Sequence, residues 1–161
     1  MPDVDPSLEI RALRMTDCEP AGRIVGKNAL WRDRYHYSAD QAARDLLYGT
    51  SHGDFVVGAF SGGDLVGVAW ILPKGAFGRS PYLRLLAVDP DAQSAGAGHA
   101  LLAHAEVNAV KGAKHFFLLV SDFNERAQSF YRREGYGPVG ALPDFVLPGV
   151  AEQLWMKKLG S

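Results

Sequence analysis

The sequence predicts an α+β domain built on a mixed sheet. Apolar runs with the two-residue period of strands alternate with helical segments along the chain. Residues 61–64, Ser-Gly-Gly-Asp, separate two β-rich runs over residues 55–60 and 65–72, which predicts an antiparallel hairpin. A loop of small residues, 93–98, joins a strand to a helix. Together these features give the order strand, two helices, three strands, helix, strand, helix and two strands.

The first third of the chain contains one strand and two helices. Residues 8–13 alternate apolar and polar side chains, as a half-buried strand does. Polar capping residues precede a helix over residues 19–30. Ser38, with Gln41 three residues later, has the form of a capping box for a second helix, and Gly49 is placed to end that helix.

The second half of the chain completes the alternation. After loop residues 73–81, a strand leads into the small-residue loop, and a helix follows over residues 99–111. In order, we then expect a strand over residues 115–120, a helix over 124–134, a strand from Tyr136 and a final strand over 152–159.

Composition and charge exclude several classes of function. The 161 residues, 47% hydrophobic and 22% charged, fit one globular domain over residues 1–161. A formal net charge of −1 without a long Lys/Arg tract argues against nucleic-acid binding. Cys18 is the only cysteine, the N-terminus has no secretion-signal pattern, and no apolar run approaches the roughly 20 residues that span a bilayer. We therefore expect a cytoplasmic protein that binds no membrane.

The loop over residues 93–98 most directly indicates a ligand. Small residues let backbone N–H groups approach an anion, and the helix that follows adds roughly half a positive charge from its aligned peptide dipoles. The loop therefore suits a pyrophosphate. A glycine loop alone is a weak signal, because strand-to-helix connections often need small residues merely to turn.

Several motifs occur in a fixed order around this loop. They are Ala87-Val88-Asp89-Pro90 before the loop, Gln93-Ser94-Ala95-Gly96-Ala97-Gly98 in it, Asn124, Tyr131 seven residues later, and Gly135-Tyr136. In these motifs the chain resembles the GNAT superfamily of N-acetyltransferases, specifically over residues 82–136 and only generally before them. The resemblance implies a mixed, mostly antiparallel central sheet of about seven strands flanked by about four helices, with splayed central strands.

The resemblance also implies acetyl-CoA as co-substrate and a primary amine as acceptor. The amine would attack the thioester directly, giving a tetrahedral intermediate, while the pantetheine arm bonds to the strand backbone and the pyrophosphate to the loop. The implied cofactor-binding residues are Leu86, Ala87, Val88, Gln93, Ser94, Ala95, Gly96, Ala97, Gly98, His99, Asn124 and Arg126. We expect the backbone N–H of His99 to matter more than its ring, and Arg126 to be the phosphate-side arginine of interest. We expect no metal, because His99 and His104 lie roughly 140° apart on a helix.

Catalysis needs a proton donor for the departing thiolate and a way to neutralise the amine. The resemblance places Tyr131 where the family's general acid usually sits, and the backbone N–H of Val88 would stabilise the oxyanion. Without the resemblance, Tyr131 reads as an ordinary packing aromatic. The positions at which two branches of the family carry a glutamate base are here Leu119 and, on the preceding strand, Tyr82 or Arg84. Deprotonation should then depend on a water relay or on an acceptor with a low amine pKa. Three other carboxylates could take the place of the missing glutamate base, namely Asp122, Asp144 and Glu152.

The acceptor pocket is expected between two aromatic segments, residues 31–37 and 142–146. A non-catalytic acyl-CoA sensor remains an alternative, because no base occupies either family position. A dinucleotide-binding module is a second alternative, although its glycine loop would follow the first strand of the domain. A homodimer is left open.

Overall fold

The structure, a computed structural model, describes residues 3–92 and 96–160. Gln93, Ser94 and Ala95 of the small-residue loop lie outside the described residues. The strands are β1 (Leu8–Ala12), β2 (Phe55–Ser61), β3 (Asp64–Ala76), β4 (Ser80–Val88), β5 (His115–Ser121), β6 (Gly137–Pro143) and β7 (Ala151–Lys158). The α-helices are α1 (Cys18–Lys27), α2 (Ala39–Ser51), α3 (Ala97–Asn108) and α4 (Glu125–Arg133), and short helical turns cover Met15–Asp17 and Leu30–Arg34.

The seven strands form one mixed sheet in the order β1-β2-β3-β4-β5-β7-β6. Neighbouring strands are antiparallel except β4 and β5, which are parallel. Within the described residues, β4 and β5 pair at Tyr82 with Phe117 and at Leu83 with Leu118, and then separate. The predicted α+β fold with splayed central strands is confirmed. The dinucleotide-binding alternative is wrong, because that fold requires a mostly parallel sheet.

Two hydrophobic clusters, one on each face of the sheet, form the core. Val68 and Trp70 of β3 pack with α1 and α2. Ala69 and Ile71, which point to the other face, pack with α3. Burial of each large apolar side chain stabilises the fold by about 1.5–3 kcal/mol, so helices on both faces fix the sheet.

A β-bulge interrupts β4 beside the point where it leaves β5. Trp70 pairs with Leu85, but Ile71 pairs with Leu83, which leaves Arg84 as an extra residue of β4. The bulge switches the faces of the strand, so Leu83 packs on the α3 side and Leu85 on the α1 and α2 side. The guanidinium carbon of Arg84 lies 5.3 Å from the Trp70 ring centroid.

Helix α2 corrects a predicted boundary. Gly49 does not end the helix, which continues to Ser51, and Gly53 makes the turn with a φ of +82°. Gly49 is buried within α2, where an added Cβ would lie 2.8 Å from the Trp70 ring. The glycine therefore makes room for an indole on β3.

The N-terminus of α2 begins as predicted but closes differently. The Ser38 side chain accepts a hydrogen bond from the Gln41 N–H at 3.1 Å, which confirms the cap. The Gln41 side chain donates to Asp45 at 2.8 Å, so it does not complete the capping box.

Helix α1 ends earlier than predicted, at Lys27. The next residue, Asn28, has extended backbone angles, and its side-chain amide donates to the Ile24 carbonyl at 2.8 Å and the Val88 carbonyl at 3.3 Å. The side chain thus satisfies a carbonyl at the helix end and ties α1 to the last residue of β4.

Candidate active site

A cleft of about 1030 Å³ opens where β4 and β5 separate. Its walls come from β4, β5, α4, the connection between α1 and α2, and the loop between β6 and β7. Ligand pockets typically have volumes of about 300–1,000 Å³, so the cleft has room for a long cofactor arm and an acceptor.

Six of the predicted cofactor-binding residues line this cleft. They are Leu86, Ala87, Val88, Gly98, Asn124 and Arg126. Ala97 is buried in the first turn of α3, and the side-chain oxygen of Asn124 accepts a hydrogen bond from the Ala127 N–H at 3.1 Å as the N-cap of α4.

The N-terminus of α3 faces the site without a side-chain cap. Gly96 is its N-cap residue and adopts a φ of +77°, a left-handed conformation that favours glycine. No side chain of the described residues caps this end, so N–H groups of the first turn are free to bind an anion. Gly98, in the same turn, leaves room for the Phe130 ring, because a Cβ there would lie 3.3 Å from it.

The ring of His99 has a role that the sequence reasoning missed. Its Nδ1 lies 2.7 Å from Glu134 Oε2, which joins the first turn of α3 to the end of α4. The expectation that the backbone N–H of His99 matters more than its ring did not include this contact. The two residues are distant in sequence, so no local pattern could have indicated the pair.

Two arginines of α4 line the cleft instead of one. Arg126 was predicted, and Arg133 lies two helical turns later on the same face of α4. Arg132 points elsewhere, with its guanidinium carbon 5.1 Å from the Trp155 ring centroid. The seven-residue spacing is the signal that could have identified Arg133 from the sequence.

Tyr131 is half-buried and lines the same cleft. Burial, with the nearby Tyr82, raises the pKa of its phenol above the usual value of 10.0. No described residue hydrogen-bonds to this hydroxyl. The phenol therefore keeps its proton at neutral pH and has it available for a ligand.

A buried carboxylate, Glu152 on β7, also belongs to the site. Glu152 is 5% exposed and Ser121, opposite it on β5, is 4% exposed. The Tyr35 hydroxyl donates to Glu152 Oε1 at 2.5 Å and also contacts the Ser121 hydroxyl, which donates to the same oxygen at 3.3 Å. Burial, reinforced by the hydrogen bond to Glu152, raises the pKa of Tyr35 to about 12.

The other two carboxylates named from the sequence lie outside the cleft. Asp122 accepts a hydrogen bond from the Ala151 N–H at 3.1 Å, and Asp144 accepts one from the Gly149 N–H at 2.6 Å. Both are exposed and hold turns. Leu119, at one of the two family positions for a base, lines the cleft as an apolar residue.

Aromatic side chains form the cleft wall at the α1–α2 connection. The Trp31 ring lies 5.7 Å from that of Tyr35 and 6.0 Å from that of Tyr37. Phe145 and Val146 of the β6–β7 loop line the cleft as well and are exposed. The predicted acceptor segments thus both reach the cleft.

Two general features of the described ranges bear on function. In residues 3–92 and 96–160, His, Cys, Asp and Glu side chains form no group of three or more that could hold a metal ion. The helices of this part of the chain are all too short or too polar to cross a membrane.

Comparison with known proteins identifies the family. The model of the acetyltransferase (GNAT) family matches residues 25–136, more than half of the chain. Blasticidin-S acetyltransferase from Streptomyces morookaense is 35% identical over 78 residues, which are 48% of this chain and 57% of that protein. The matched segment thus spans little more than half the length of this curated relative.

Solved structures share the fold. The PaiA N-acetyltransferase of Thermoplasma acidophilum, solved in complex with coenzyme A, has a TM-score of 0.72 at 22% identity, covering 95% of this chain and 99% of that one. A ribosomal-protein-alanine N-acetyltransferase of Brucella melitensis has a TM-score of 0.75 at 20% identity, covering 94% and 99%. With the family model matched across most of its length, this chain belongs to the acetyltransferase (GNAT) family.

Proposed function

We propose that this acetyltransferase moves the acetyl group of acetyl-CoA to a primary amine bound in the cleft between β4 and β5. One observation carries the proposal. A single cleft is lined by an open strand edge, the uncapped start of α3, two arginines, a protonated phenol and a buried carboxylate.

The cofactor would enter along the splayed edge of β4. Its pantetheine amides would bond to the backbone of Leu86 at this open edge, where the Val88 N–H is also exposed to the thioester. The backbone groups of Ala87 point instead to its partner Val68 on β3, which corrects the expectation for Ala87. The pyrophosphate would sit on the first-turn N–H groups of α3, and Arg126 and Arg133, which line the same cleft, would add positive charge. The coenzyme A complex of the PaiA relative supports this co-substrate.

The reaction would proceed by direct attack. The neutral amine nitrogen bonds to the thioester carbon, and the carbonyl electrons move to the oxygen, where the Val88 N–H would stabilise the charge. Collapse breaks the C–S bond, and the Tyr131 hydroxyl gives its proton to the departing thiolate. The chain's only cysteine, Cys18, is buried beside Thr50 and lines no part of the cleft, so no thiol stands ready to accept the acetyl group first.

The acceptor would lie against the aromatic wall formed by Trp31, Tyr35 and Tyr37. An ammonium over such rings gains cation–π attraction, and the carboxylate of Glu152 complements its charge. We would test two acceptors first. Blasticidin S is suggested by the name of the curated relative, and a peptide with an N-terminal alanine by the name of the Brucella melitensis structure.

A screen for thiol release tests the proposed function. The protein is mixed with acetyl-CoA and with blasticidin S, an alanine-leading peptide or an N-terminally blocked lysine peptide, and free thiol is followed against a reaction without amine. We expect release that requires both protein and amine. Tight binding of acetyl-CoA without release for any amine would instead support the acyl-CoA sensor, the alternative left open by the apolar Leu119.

A further inference from the structure

We infer that Glu152 receives the proton that the acceptor ammonium must lose before it attacks, and that Tyr35 and Ser121 hold the carboxylate in position for this step. The inference rests on the proposed function and assigns the base that the two family positions lack. Among the possibilities that the sequence left open, namely a water relay, Asp122, Asp144 and Glu152, it selects Glu152 acting through a water.

The two oxygens of Glu152 have different surroundings. Oε1 accepts the hydrogen bonds from both hydroxyls. Oε2 has no hydrogen bond to any described residue. Because no side-chain N or O atom of the described residues is both wholly buried and without a partner, Oε2 must be accessible to solvent. Because Glu152 lines the cleft, Oε2 is the oxygen open to it. One oxygen is thus fixed while the other is free to take a proton.

The only other acidic residue among the described residues that line the cleft is Asp89. Its carboxylate lies 3.2 Å from Lys27 Nζ and accepts the Asp91 N–H at 2.9 Å. Asp89 is therefore paired with a lysine and stabilises a turn. Glu152 has no cation within ion-pair distance in the described residues, so its charge is free to attract an ammonium.

The register of the sheet directs Glu152 into the cleft. Ser121 pairs with Glu152, and Leu119 pairs with Leu154. Directly opposed residues of antiparallel strands share a face, so Glu152 points to the same side as the cleft-lining Leu119. Adjacent strands lie about 4.8 Å apart and residues two apart along a strand about 6.8 Å, so Leu119 lies diagonally about 8 Å from Glu152, and the proposed proton path from an amine beside Leu119 runs through a water.

The groups around Glu152 favour a proton acceptor there. Tyr35 stays protonated at neutral pH because burial and the carboxylate raise its pKa to about 12, so it donates to Glu152 and does not compete as a base. The charge of Arg34 opposes this rise. Tyr82 on β4 is also kept protonated, since burial raises its pKa, with Arg84 acting against this rise and Glu152 adding to it.

The proton balance of the step is complete. The acceptor enters as an ammonium, and one N–H proton passes through a water to Glu152 Oε2, which leaves the nitrogen lone pair free to attack. A second nitrogen proton leaves as the tetrahedral intermediate collapses and restores, through solvent, the proton that Tyr131 gave to sulfur. The first proton returns from Glu152 to bulk water after product release.

The test compares pH–rate profiles of the wild type, Glu152→Gln, Tyr35→Phe and Glu9→Gln. Each protein is assayed at saturating acetyl-CoA with acceptors from the screen that have an α-amino group (pKa about 7.7–8.0) or a lysine side chain (about 10.4). Glu9→Gln is the matched control, because it makes the same change at an exposed glutamate of β1, outside the cleft. Thermal unfolding and acetyl-CoA binding confirm that each variant is folded and loaded.

We expect the wild-type inflection to stay at one pH for both acceptors. Glu152→Gln should lose about 10²–10⁴-fold in rate near neutrality, with an inflection that follows the amine pKa. Tyr35→Phe should lose less and move the inflection to higher pH, because the charged carboxylate loses a donor. Glu9→Gln should match the wild type. A folded, acetyl-CoA-binding Glu152→Gln protein with the wild-type rate and profile overturns this inference alone, whereas no thiol release by the wild type with any amine overturns the proposed function and this inference together.

Discussion

The proposed role of Tyr131 predicts a loss of rate without a loss of stability. Tyr131→Phe removes one hydroxyl and keeps the ring, which lies 5.3 Å from the Phe130 ring and 6.0 Å from the Tyr136 ring. Because no described residue hydrogen-bonds to the hydroxyl, its removal should change the free energy of unfolding by less than about 1 kcal/mol. A lost acid–base group slows chemistry by about 10²–10⁴-fold, which is about 2.7–5.4 kcal/mol of transition-state stabilisation.

Single-turnover kinetics measure this loss, since slow product release can hide the chemical step. Urea denaturation and acetyl-CoA calorimetry serve as controls for folding and binding. A Tyr131→Phe protein that turns over at the wild-type rate would show that Tyr131 is a packing residue. A variant that loses stability in proportion to activity would likewise refute the proton-donor role.

Three further changes test the cofactor site, the core and the buried phenol. Gly96→Asp should raise the acetyl-CoA Kd in calorimetry more than Gly96→Ala, which shares the strain at φ +77° without the charge; equal values would contradict a phosphate at this turn. Gly49→Ala should lower the free energy of unfolding by about 1–2 kcal/mol, because the contact at 2.8 Å with Trp70 outweighs the gain in helix propensity. Gly140→Ala, which meets open space, should change it by less than about 0.5 kcal/mol, and matching values in urea denaturation would rule out tight packing at Gly49. Because the native state keeps the Tyr35 proton until about pH 12 while the unfolded state loses it from pH 10.0, the free energy of unfolding should fall across this range. The free energy of unfolding of Tyr35→Phe should fall less steeply with pH, and the same slope as in the wild type would contradict a raised pKa for the Tyr35 hydroxyl.

Features set by residues close in sequence could be predicted. The hairpin turn forms at Gly62 and Gly63, which adopt φ values of +58° and +91°. The caps at Ser38 and Asn124 each bond an N–H three residues later. These choices depend on the conformation of a few consecutive residues, so the sequence pattern carries them.

Features set by other elements could not be predicted in this way. Glycine is typical of a helix end, but at position 49 it is required inside the helix because the Trp70 ring of β3 packs against it. The bulge at Arg84 is a property of the register between β3 and β4, which the sequence of β4 alone does not specify. Local reading therefore located the elements better than their boundaries and registers.

The proposed site residues show the same division. The motif around Tyr131 and the strand before the small-residue loop indicated the cofactor side of the cleft. The bond between Tyr35 and Glu152 joins residues 117 apart, and no local pattern distinguishes this glutamate from an exposed one. Only the topology, which sets β7 beside β5 and brings the α1–α2 connection over both, brings the pair together.

The fate of a labelled acetyl group tests direct transfer most simply. The protein is mixed in a single turnover with acetyl-CoA labelled in the acetyl group and with the best amine from the screen, then quenched at a series of times. Mass spectrometry follows the label on coenzyme A, on the protein and on the amine. Direct attack predicts that the label leaves coenzyme A and appears on the amine nitrogen at the same rate, with none on the protein at any time. Label that passes through the protein would contradict direct attack, and label that stays on coenzyme A would contradict acetyl transfer itself.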